Sequence, residues 1–194
     1  MLAVAVFAAG AFVGVLYLGQ EPWLLTPVMQ AVEHYVRPVA QDKPLLAVFI
    51  FFKNLSVVLM ALFAEQVVSA ADHLRVRLAT ALRLPPAVVG LVAVKAARLG
   101  RLMPVIVLVV NGAVLAGVCC LLWKSGASTA SLAAGLVPHG IPEFSALFLA
   151  CGAGMSGITF ERKAVMFRQA VVPLLAAAAV IEIWITPEIM RLVG

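Results

Sequence analysis

The chain is short of charge. Asp, Glu, Lys and Arg make up 12% of its 194 residues, against about 25% in soluble domains, so a fully wetted globular surface is excluded. Cysteine is also scarce. Cys119, Cys120 and Cys151 all lie in apolar runs without CxxC or metal-ligand spacing, which leaves them as small buried hydrophobes rather than disulfide or zinc ligands. No HExxH helix, GxSxG elbow, Walker loop or Ser/Lys dyad is present. A protein that is not an enzyme, with no cofactor and no metal, is therefore expected. No strand pattern alternates with the helical ones. The net charge of +5 is not accompanied by a basic helix with aromatic platforms, so no nucleic-acid partner is expected.

Apolar sequence is what the chain has in abundance: 64% of residues are hydrophobic and the mean hydropathy is +1.10. Five apolar stretches, about 2–19, 45–64, 103–122, 144–160 and 170–187, each approach the roughly 20 residues that cross a bilayer. The expected fold is all-α, a polytopic membrane helix bundle of about five transmembrane helices in a single membrane domain, 1–194. The first stretch lacks a charged n-region and a clear cleavage site and is read as a retained helix. Gln20 to Pro44 reads as a loop with a short amphipathic helix near Val28 to Val36.

A longer amphipathic insert occupies 65–102. Val67, Ala70, Leu74 and Leu78 form an apolar stripe opposite Ser69, His73, Arg77 and Thr80, the pattern of an interfacial or groove-packing helix. After Pro85-Pro86, Lys95, Arg98 and Arg101 recur at three-residue steps, a basic face suited to anionic lipid headgroups. Arg75, Arg77, Arg83, Lys95, Arg98, Arg101, Arg162, Lys163 and Arg168 fall on one side of the expected topology. Arg37, Lys43, Lys53, Lys124 and Arg191 fall on the other. The excess marks the cytoplasmic side, which places a multi-pass protein in the cell membrane with its N-terminus inside and C-terminus outside.

Five polar residues stand out against this background. Asn54, Asn111, His139, Glu143 and Glu182 share one depth in the expected topology. A charge at mid-bilayer costs roughly 2.5–3.5 kcal/mol on insertion scales, so these side chains should face the bundle interior and meet one another. Pro138, Gly140 and Pro142 read as the start of the fourth span, where Glu143 also suits a helix cap. Glu182 also suits snorkelling to the headgroups, and the asparagines interhelical hydrogen bonding. Small-residue faces, Gly10xxxGly14, Gly112xxxAla116 and Ala146xxxAla150xxxGly154, suit close helix packing within one chain or in a homo-oligomer.

Three segments carry a family resemblance: Val110 to Gly117, the run Pro138-His139-Gly140-Ile141-Pro142-Glu143, and Ile181 to Pro187. Together with Phe51-Phe52-Lys53-Asn54-Leu55, the chain resembles the stage II sporulation protein M family over about residues 45–190. The resemblance implies a membrane protein of about five spans. In spore formers it implies an anchor for an assembly that remodels septal peptidoglycan, with the lytic chemistry in partner proteins. The expected function is a membrane scaffold recruiting other membrane or envelope proteins. The alternative is a small transporter or an ion or proton pathway through His139, Glu143 and Glu182. The inner halves of the spans offer few polar residues beyond Asn111 and Thr159, which favours the scaffold.

Overall fold

A computed structural model describes residues 1–83 and 86–193, with side chains for all of these except 22, 28, 32, 86–99 and 101. Every described element is helical, as lipid requires of a chain whose backbone groups must pair within their own segment. Helix α1, Leu2–Val13, continues through a π-helical turn, Gly14–Leu18. The chain then bends by 119° and reaches α2, Thr26–Val36, the expected amphipathic piece. Next come α3, Lys43–Ala81, α4, Pro86–Lys124, and α5, Thr129–Met155. The last span is built from α6, Phe160–Met166, α7, Val172–Val180, and α8, Thr186–Val193, joined by π-helical turns at Phe167–Val171 and Ile181–Ile185. Four helices are long and apolar enough to cross a membrane, and the bent pair at the N-terminus raises the number to five. The expected all-α multi-pass bundle is the observed one.

Three boundaries differ from expectation. The fourth span does not begin at the proline run. Helix α5 starts at Thr129, capped by the Ser128 hydroxyl, which accepts from the Ser131 N–H at 3.0 Å, and Pro138, Gly140 and Pro142 lie inside it. Prolines read as a helix start in water are tolerated within membrane helices, because packed neighbours and side chains re-satisfy the freed carbonyls. Glu143 is therefore not a cap.

The insert, secondly, is not a separate helix. Both α3 and α4 run 39 residues without interruption, about 58 Å each, nearly twice the roughly 30 Å of hydrocarbon. They form an arm beyond the bundle, with Val67, Leu74 and Leu78 exposed along α3. The Lys95, Arg98 and Arg101 side chains, and with them the headgroup contact, lie outside the described residues. Thirdly, Thr186-Pro187 does not stop the last span. Pro187 sits in the first turn of α8, where its missing N–H costs nothing.

Glycine sets how closely the helices approach. Helix α1 lies parallel to α4, with Gly10 against the Val109 backbone, Gly14 against Ala113 and, from the other side, Gly112 against Phe7. Gly154 of α5 meets the Ala61 carbonyl of α3 in the same way. The glycine faces thus serve packing within one chain. Val58, Leu62, Leu108, Leu147, Cys151 and Leu175 fill the core. Phe7 adds ring contacts to Phe144 and Phe148 at 5.4 and 5.3 Å between centroids.

Lys163, counted by charge among the loop cations, is 1% exposed. Its ammonium donates to the Leu62 carbonyl at 3.1 Å and to Gln66 Oε1 at 3.5 Å, tying α6 to α3.

Candidate intramembrane site

Two residues four apart on a helix share a face, and on α5 those residues are His139 and Glu143. Glu182 meets them from the π-helical turn between α7 and α8. One ligating atom from each of the three lies within 4.8 Å of the others. A π-helical turn widens the helix locally, and such turns recur at functional sites. One turn further on, Thr186 is 5% exposed and its Oγ1 lies 3.2 Å from His139 Nδ1. Sequence reasoning missed Thr186 because Thr-Pro reads as a helix terminus; its four-residue spacing from Glu182 was the available signal.

Asn54 and Asn111 join on the other flank of Glu143. With Val57, Val58, Phe144, Leu147 and Leu175 the three line a cavity of about 20 Å³, room for one water. Asn111 Nδ2 donates to the Val107 carbonyl at 2.8 Å. Asn54 is 7% exposed. Glu143 thus belongs to two groups, one with His139 and Glu182 and one with Asn54 and Asn111.

Lys53, counted on the outer side by charge and within the stretch 45–64, lies inside α3 as that stretch implies, near the triad. Lys53 and Glu182 also line a groove of about 770 Å³ whose apolar walls include Ala31 and Tyr35 of α2 and Leu46, Phe49 and Ile50 of α3.

Depth follows from helical rise. The cluster residues lie roughly 15–21 Å along their helices from the ends at Lys43, Lys124, Thr129 and Val193. That places them well inside segments long and apolar enough to cross a bilayer. Charged groups at this depth bind something or bind each other.

Compared with known proteins, the family model described as stage II sporulation protein M matches residues 86–187, more than half of the chain. The chain belongs to the stage II sporulation protein M family. The matched stretch contains Asn111, His139, Glu143, Glu182 and Thr186, so the family region supplies all three members of the triad. Phe51 to Leu55, part of the resemblance noted above, falls outside it, and with it Lys53 and Asn54. No curated protein and no solved structure matches the chain.

Proposed function

We propose that this stage II sporulation protein M family member is a membrane scaffold, without catalysis of its own, that holds other membrane or envelope proteins in place. The α3–α4 arm is the observation that carries this reading. Beyond Gly100, where an added Cβ would lie 3.2 Å from the Glu65 Cα, α3 continues to Ala81. Along that extension Val67, Leu74 and Leu78 are exposed as an apolar stripe, with Arg77 exposed on the polar face opposite. A helix presenting such a stripe fits an amphipathic partner helix. The family resemblance adds the class of partner, proteins that remodel peptidoglycan.

The test is co-purification of the tagged protein from its native membrane, alongside a variant with Leu74→Asp and Leu78→Asp. These surface changes should alter bundle stability by no more than about 0.5 kcal/mol each. Loss of the specifically captured membrane or envelope proteins from the variant, with its thermal melt unchanged, is the expected result. Capture of the same proteins in undiminished yield would remove the arm from the function.

The charge distribution supports an orientation for this scaffold: N-terminus and arm in the cytoplasm, Lys124 and the C-terminus outside. With Cys119, Cys120 and Cys151 replaced by Ala, a cysteine at position 124 should react with an impermeant thiol reagent on intact cells. One at position 77 should react only after permeabilisation. The reverse pattern would invert the topology.

A further inference from the structure

We propose that His139, Glu143 and Glu182 form a three-ligand site for a divalent transition-metal ion of zinc type, between α5 and the last span. The proposal is independent of the scaffold reading. One imidazole nitrogen and two carboxylate oxygens lie within 4.8 Å of one another. Ligands on a tetrahedral zinc sit roughly 3.3 Å apart, given Zn–N and Zn–O distances of about 2.0–2.1 Å. Side-chain rotations that move the donor atoms by about an ångström close the set.

The outer shell is also in place. Metal-binding histidines commonly engage their second ring nitrogen with an oxygen partner, which fixes the ring. Here Thr186 Oγ1 holds Nδ1 at 3.2 Å, which leaves Nε2 for the metal. Three protein ligands leave a fourth position for water. A cavity of about 20 Å³, room for one water, adjoins the set on the Glu143 side, away from His139 and Glu182. Asn54, 7% exposed, and Asn111 line that cavity with Glu143 and supply polar groups for a water there.

Charge points the same way. Neither Glu143 nor Glu182 has an ion-pair or hydrogen-bond partner among the described residues, and two carboxylates this close in a bundle interior need a cation between them or a shared proton. Lys53 is the competing cation. Its flexible stem borders the groove of about 770 Å³, space into which the ammonium can turn when a metal takes its place. An imidazole in the set favours zinc-like ions over Mg²⁺ and Ca²⁺, which prefer oxygen ligands alone.

The experiment uses the full chain in detergent, stripped with chelator and titrated with ZnCl₂ or CoCl₂. The expected result is one equivalent bound, a Co²⁺ visible spectrum and, by X-ray absorption on the zinc form, one imidazole plus carboxylate oxygens at about 2.0–2.1 Å. His139→Gln, Glu143→Gln and Glu182→Gln should each weaken binding by more than about tenfold, whereas Lys53→Met should tighten it several-fold by removing the competing charge. The chain has two other histidines, His34 and His73, and His34→Gln and His73→Gln should leave binding unchanged.

Helicity and melting of the metal-free variants check that each is folded. Should a ligand variant fail to fold, the wild-type X-ray absorption and Co²⁺ spectra decide alone. A wild-type chain that takes up no metal at micromolar concentrations would overturn the site. So would metal retained when all three ligands are replaced, or lost with His34 or His73.

Discussion

Gly14→Ala should loosen the first helix from the bundle, and Gly14→Val should detach it. A Cβ at Gly14 would run into the Ala113 carbonyl oxygen and lie 2.7 Å from both the carbonyl carbon and Cα of the same residue. These are backbone atoms of α4, which cannot rotate aside as a side chain would, so the whole helix must retreat. Retreat at Gly14 also opens the neighbouring contacts of Gly10 with Val109 and of Gly112 with Phe7, because the three lie along one seam.

Overpacking a tight contact costs about 1–3 kcal/mol. The alanine variant should fall in that range, and valine at or above its upper end. Gly152, on α5, is the control, since nothing lies within 4 Å of a Cβ placed there. Gly152→Ala should be neutral or slightly stabilising, as alanine is favoured over glycine in a helix by up to about 1 kcal/mol. Equal melting of Gly14→Ala and Gly152→Ala would disprove the parallel α1–α4 seam.

Glu182→Ala should destabilise the metal-free protein by about 1–3 kcal/mol, while Glu182→Gln should cost much less. Alanine removes the polar group that faces His139 and Glu143 and leaves both without it inside the bundle. Glutamine keeps the shape and a hydrogen-bonding end. Because the three side chains share one space, replacing His139 and Glu182 together should cost less than the sum of the single losses by at least about 0.5 kcal/mol. Strict additivity in the melts would show three independent polar residues and no unit.

Sequence and tertiary structure divided the information along physical lines. Hydropathy summed over about 20 residues is a strong signal, since every residue of a span contributes to the same transfer free energy. The helical class and the number of spans were legible for that reason, whereas the α2 helix near Val28 to Val36 was legible from its amphipathic pattern and the glycine faces from their four-residue spacing. The grouping of His139 with Glu143 and Glu182, and of the two asparagines with Glu143, follows the same cost of lipid exposure, which leaves such groups the bundle interior.

Helix ends were not legible. Proline and glycine signals are calibrated on chains in water, and inside a membrane Pro138 and Pro142 sit mid-helix because neighbours satisfy the backbone they free. Charge alone did not reveal that Lys163 is buried: a lysine in a connection between apolar runs reads as a loop residue, yet this one is held on the Leu62 carbonyl. The partnership of Thr186 with His139 joins residues on different spans. Only the packing of α5 against α8 decides it, since no local sequence pattern encodes the distance between two helices far apart in the chain.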